Sequence, residues 1–159
     1  MTPVIFIAGY SNTGKTTLMK KLIQAFKEKG YRVAAVKHAA HGYDVDVPGR
    51  DTWHYCQAGA DQVVVVGPRS LTMHHLYKEE PPLRDIYKMI EGVDLILIEG
   101  FKSEHGPKIE VVREGKARLS LGDELIAVVS DDPLSESVPC FATTAVPQLA
   151  DFLINYFAL

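Results

Sequence analysis

With 159 residues, the chain has room for one hydrophobic core of ordinary domain size and is expected to form a single domain, 1–159. Its composition, 47% hydrophobic and 23% charged, is that of a soluble globular protein, and a net charge of −3 argues against electrostatic binding to nucleic acid. No apolar run approaches the ~20 residues of a membrane span, Met1-Thr2-Pro3 carries no basic leader, and Cys56 and Cys140 stand too far apart to suggest a disulfide framework, so a cytoplasmic protein with reduced thiols is expected.

Val4-Ile5-Phe6-Ile7-Ala8 is a continuous apolar, β-branched run, as expected of a strand covered on both faces. It leads into Gly9-Tyr10-Ser11-Asn12-Thr13-Gly14-Lys15-Thr16-Thr17, which fits the phosphate-loop pattern G-x-x-x-x-G-K-S/T. Leu18, Leu22, Ile23 and Phe26 then recur at helical spacing, with Gly30 as a stop. Strand, glycine turn and helix are the context that the motif requires. Gly9 and Gly14 let the backbone turn sharply, so that the N–H groups of Ser11, Asn12, Thr13 and their neighbours face an anion at the helix N-terminus. Lys15 would reach the β- and γ-phosphates, the Thr16 hydroxyl would bind Mg²⁺, and Thr17 would add an α-phosphate contact.

A second strand over Tyr31–Lys37 completes a right-handed βαβ unit with parallel strands. Lys37 to Thr52 follows, without periodicity and dense in ionisable groups. On the C-terminal edge of a parallel sheet such a loop faces the ligand. Lys37 and Arg50 suit phosphates, and Asp44, Asp46 or Asp51 suit Mg²⁺ or a metal-bound water; the residue types do not choose among the three. Zinc held by His38 and His41, with His54 and Cys56, is a weaker alternative, and solvated loop residues the plainest one. Asp51-Thr52 is expected to cap a short helix ending at Gly59.

Gln62–Val66 reads as a third strand buried on both faces, and Ser70–Lys78 as an edge strand whose His74 and His75 point to opposite sides. Leu83, Ile86, Tyr87 and Ile90 mark a helix ended by Gly92. Asp94-Leu95-Ile96-Leu97-Ile98-Glu99-Gly100 is a buried strand ending in a carboxylate and a glycine, the arrangement of a Walker-B element. Asp94 stands ~16 Å from that end at ~3.3 Å per residue, which makes Glu99 the metal-side acid; Gly100 would let the backbone approach a γ-phosphate. Pro107–Arg113 alternates apolar and charged residues and is expected to be a one-sided or edge strand. Leu125-Ile126-Ala127-Val128-Val129-Ser130-Asp131-Asp132 is another buried strand, opening onto paired acids at its C-terminal end. An acid there suits guanine N1–H and the 2-amino group, or equally a cap before Pro133. Phe141–Thr144 suggests a short strand, and Val146, Leu149, Phe152, Leu153 and Phe157 a C-terminal helix.

Gly9 to Thr17, the Lys37-His38-x-x-His41 loop with Asp44, Asp46 and Pro48-Gly49-Arg50-Asp51-Thr52, Ala58-Gly59-Ala60, and Glu99-Gly100-Phe101-Lys102 together resemble the molybdopterin-guanine dinucleotide biosynthesis protein B family, MobB. The resemblance covers nearly the whole chain. Arg50 departs from it, since the family more usually carries lysine there. It implies a P-loop NTPase-like α/β fold with a mostly parallel central sheet flanked by helices, with antiparallel pairing allowed at the edges. It further implies a GTP-binding, weakly GTP-hydrolysing homodimer. Such a protein assists the guanylyltransferase, MobA, that joins GMP to molybdopterin, with direct molybdopterin binding left open.

The expected site therefore has Lys15, Glu99, Asp46 and Asp51 as catalytic groups and Thr16, Glu99 and Asp46 on the metal. Gly9, Ser11 to Thr17, Lys37, Arg50, Gly100, Asp131 and Asp132 complete the nucleotide site. An accessory GTPase is the first functional reading. A small P-loop kinase or ligase resembling dethiobiotin synthetase is the second, and a non-catalytic scaffold the third.

Overall fold

A computed structural model describes residues 2–132 and 134–159. Met1, which opens the lead-in to the first strand, and Pro133, before which a cap is expected, lie outside them. In chain order the elements are β1 (Val4–Ala8), α1 (Lys15–Glu28), β2 (Val33–Lys37), α2 (Asp51–Gln57), β3 (Gln62–Val66) and β4 (Leu71–His75). There follow α3 (Leu83–Lys88), β5 (Leu95–Glu99), β6 (Lys108–Val111), β7 (Leu125–Val129), β8 (Cys140–Phe141) and α4 (Val146–Phe157). The chain divides into two compact units, one comprising residues 1–38 and 91–159 and the other residues 39–90.

The first unit is a six-stranded sheet in the order β2-β5-β1-β6-β7-β8, and every neighbouring pair is parallel. Alternate residues of its central strands, Ile5, Ile7, Leu95, Leu97, Ile109, Val111, Ala127 and Val129, form one apolar face. Leu18, Leu22 and Phe26 of α1 and Leu149, Ala150 and Leu153 of α4 cover that face, which fixes both helices at their apolar periodicity. The α1 stop is as read, with Gly30 in the left-handed region at φ 89°. β2 starts at Val33, two residues later than expected, and β5 lies between it and β1. The β1-α1-β2 crossover thus spans one strand, because the more apolar Leu95–Glu99 takes the place beside β1.

β6 differs from its expectation. It is no edge strand but runs between β1 and β7 with all four residues buried. Its charged residues are interior because each is paired: Lys108, 1% exposed, binds the Glu124 carboxylate and the Glu104 carbonyl, and Glu110, also 1% exposed, accepts from Arg118 and from the Leu119 N–H. Arg118 also binds Glu136.

In the second unit β3 and β4 form a separate antiparallel pair. β3 was expected to be buried on both faces, yet only Val63 is buried, and Val64, Val65 and Val66 are exposed. A strand with one partner and no second layer over its valines keeps them in water whatever their β-propensity. α2 begins at Asp51 itself with Arg50 at the N-cap position and no side-chain cap, so Asp51-Thr52 does not cap it. Among the described residues no helix is long and apolar enough to cross a membrane.

Candidate functional site

Because all six strands run the same way, the loops after β1, β5, β6 and β7 emerge on one edge of the first unit. The Gly9–Gly14 loop sits there, between the buried β1 and the N-terminus of α1. Gly9 has φ 146°, and a Cβ on it would come within 2.6 Å of the Val111 carbonyl oxygen, so the turn admits no side chain. Asn12 (φ 63°) and Gly14 (φ 101°) are also left-handed, and no side chain caps the first turn of α1. Its unpaired N–H groups and positive dipole end therefore open on the loop.

Lys15 donates from Nζ to the Tyr10 carbonyl at 2.6 Å, folding back along the loop. Burial draws its pKa below the usual lysine value; Glu99 opposes this and Lys102 and Lys37 add to it. Thr16 Oγ1 lies 3.1 and 3.3 Å from the two carboxylate oxygens of Glu99, at the end of β5, and Lys37 Nζ lies 3.7 Å from the same carboxylate. Cis ligands of an octahedral Mg²⁺, each ~2.1 Å from the ion, stand about 3 Å apart. The hydroxyl, which donates to the carboxylate here, and the carboxylate itself are spaced as two ligands of one Mg²⁺ would be. Ser11, Asn12, Gly14, Lys15, Thr16, Thr17, Lys37, Glu99 and Arg113 line one cavity of about 500 Å³.

A second cavity of about 400 Å³ opens beside it, where Thr13, Thr17, Leu18 and Lys21 meet the ends of β6 and β7. Asp131 and Asp132 both line it, but in different states. Asp131 accepts the Thr143 N–H at 2.8 Å and the Thr143 hydroxyl at 2.7 Å, and these bonds lower its pKa. The Asp132 carboxylate takes no hydrogen bond among the described residues, while its N–H donates to Ser130 Oγ.

Gly100, at φ 102°, is required by a close neighbour: a Cβ there would come within 2.8 Å of His38 Cβ. His38 stacks on the buried Phe101 at 4.2 Å, and Lys102 Nζ stands 5.3 Å over the Tyr10 ring. Asp94, at the far end of β5, is tied to Arg32 by side-chain and backbone hydrogen bonds that push its pKa down to about 2, a structural role.

Asp44, Asp46, Arg50 and Asp51 belong to the second unit. There Asp46 accepts the Val47 N–H at 2.8 Å, and the Thr52 hydroxyl, foremost, holds its pKa below the ordinary value. Asp46, Thr52 and His74 share a cavity of about 160 Å³ with Val45, Val63, Val65 and Thr72. Cys56 Sγ lies 3.7 Å from His74 Nδ1. Among the described residues no three His, Cys, Asp or Glu side chains gather closely enough to hold a metal ion.

Two residues of the first unit join the site without having been singled out by sequence: Arg113, which lines both cavities, and Lys21, which lines the second and donates to the Thr143 carbonyl. The available signal was position, since Arg113 directly follows a strand that ends on the same edge as the glycine loop.

A family model described as "Molybdopterin guanine dinucleotide synthesis protein B" matches residues 4–131, which holds the glycine loop, Glu99 and Asp131. The chain belongs to the MobB family. Within it, the chain is 38% identical to the molybdopterin-guanine dinucleotide biosynthesis adapter protein of Escherichia coli, over 98% of this chain and 94% of that protein. The Haemophilus influenzae adapter protein is 32% identical over 97% of this chain and 89% of its own length. The crystal structure of a MobB protein homolog from Bacillus stearothermophilus superimposes with a TM-score of 0.74 at 30% identity, covering 96% of each chain. The α/β fold with its parallel central sheet is therefore that of other MobB family members.

Proposed function

We propose that this chain binds GTP with Mg²⁺ in the Gly9–Thr17 P-loop. In this reading it serves as an accessory protein in the conversion of molybdopterin to molybdopterin guanine dinucleotide. The observation that carries the reading is the meeting of Lys15, Thr16 and Glu99 at the N-terminus of α1 in a MobB family chain. Loop N–H groups and Lys15 would hold the β- and γ-phosphates, Thr16 and Glu99 the metal, and Asp131 or Asp132 the guanine. Bound Mg²⁺ would supply charge neutralisation at the phosphates.

The adapter proteins to which the chain is similar support a role beside a partner enzyme, which we take to be a MobA-like guanylyltransferase. Slow hydrolysis, a homodimeric state, a cytoplasmic location and one nucleotide-binding domain over 1–159 belong to the same proposal. The small kinase or ligase is disfavoured by the adapter names of these relatives.

Titration of GTP and ATP with Mg²⁺ against wild type and Lys15→Ala tests the nucleotide part. GTP binding is expected to fall at least 100-fold in the variant, and equal binding by both proteins would remove the P-loop from the proposal. Turnover raised many-fold by a small metabolite, with no protein partner present, would overturn the accessory role.

A further inference from the structure

The two cavities of the first unit share Gly14, Thr17 and Arg113. A ligand with phosphates at Lys15 and a base toward Asp132 has to pass these three. Gly14 and Thr17 belong to the glycine loop and α1; Arg113 alone arrives from another strand, and it alone carries a full charge. Its Nη1 reaches the Asn12 carbonyl at 3.4 Å, a long bond that uses one of five guanidinium N–H groups. Among the described residues no carboxylate pairs with it, although Glu114 is its chain neighbour. An exposed arginine held against an anion-binding backbone turn by one long bond, with no carboxylate partner among the described residues, keeps the rest of its donors for an anion that enters.

We infer that Arg113 is a nucleotide clamp whose guanidinium binds the α/β-diphosphate segment of a nucleoside di- or triphosphate, at the junction of the phosphate and base cavities. The α/β segment follows from placement: Lys15, Thr16 and Glu99 stand at the metal end, in the cavity that Asp131 and Asp132 do not line. The inference rests on the proposed GTP site.

The test is Mg²⁺-GTP and GDP binding by Arg113→Ala, Arg113→Gln and Arg113→Lys, with Lys15→Ala alongside. Arg113→Ala is expected to weaken GTP and GDP alike, by about 10- to 100-fold. Lysine should recover part of the loss. Glutamine, which keeps a donor for Asn12 but no charge, should recover little. Unchanged affinity in Arg113→Ala, rescue by glutamine, or a loss confined to GTP would each overturn the clamp. If Lys15→Ala itself bound as tightly as wild type, the nucleotide site would fail, and the clamp with it. Loss in Lys15→Ala together with none in Arg113→Ala would overturn the clamp alone.

Discussion

Thr16 Oγ1 and Glu99 Oε2, 83 residues apart in sequence, lie 3.1 Å from one another. β5 pairs with β1 in parallel register, Ile7 opposite Glu99, so the end of one strand is set beside the loop that follows the other. The pairing of two apolar strands thus places the acid, and the helix start places the hydroxyl.

Glu99→Gln keeps the shape and removes the charge. In the proposed GTPase it is expected to lower Mg²⁺-dependent turnover about 100-fold, while nucleotide affinity measured in EDTA stays within about threefold of wild type. Retained turnover in single-turnover assays would take Glu99 off the metal.

Asp131 and Asp132 separate by their partners. Thr143 satisfies both carboxylate oxygens of Asp131, which thereby ties the β7 end to the turn before α4. Asp132 faces the same cavity with its carboxylate unbonded among the described residues. Asp132→Asn should weaken GTP about 10- to 100-fold and leave ATP unchanged, as expected of a lost guanine contact. Asp131→Asn should act on both nucleotides equally or lower stability, since it loses the charge that Thr143 bonds. Isothermal titration with each nucleotide decides it; equal losses in Asp132→Asn would remove it from base recognition.

Where apolar runs determine burial, the fold was legible. β1, β5, β7 and α4 fall where their residues predict, and Glu99 could be placed because a buried strand has a determinate end. β6 was not legible, since Lys-Ile-Glu-Val alternates like a half-exposed strand. Glu124 and Arg118, 16 and 8 residues away, supply the opposite charges that make interior charges tolerable there, and spacing does not announce such partners. β3 failed in the opposite direction: four valines ask for burial, and its single antiparallel neighbour does not provide it. Arg113 was concealed with β6, because a one-sided or edge strand over Pro107–Arg113 gives no reason to set its last residue beside the glycine loop.

Gly100 is held by two constraints, its φ of 102° and the His38 backbone and Cβ beside it. Gly30, at φ 89° with nothing near, has only the first. Gly30→Ala should therefore cost about 1 kcal/mol and Gly100→Ala about 2–4 kcal/mol, read as loss of stability in urea unfolding. Equal costs would mean that the His38 contact yields freely.

Glu124 links the buried Lys108 to the loop before β6. Hydrogen bonds from Lys108, then His105, then the Gly106 N–H draw its pKa from the ordinary 4.5 to about 2. A carboxylate depressed in the folded state contributes stability that is fully present above its unfolded value and is lost as pH falls through the folded one. Wild type should consequently exceed Glu124→Gln in Tm above about pH 5. The gap should close between about pH 4.5 and 2 as the wild-type carboxyl becomes neutral like the amide. Thermal melts of both proteins from pH 7 to 2 would show this, and a gap constant with pH would place the stabilisation in packing around Lys108 and not in the charge of Glu124.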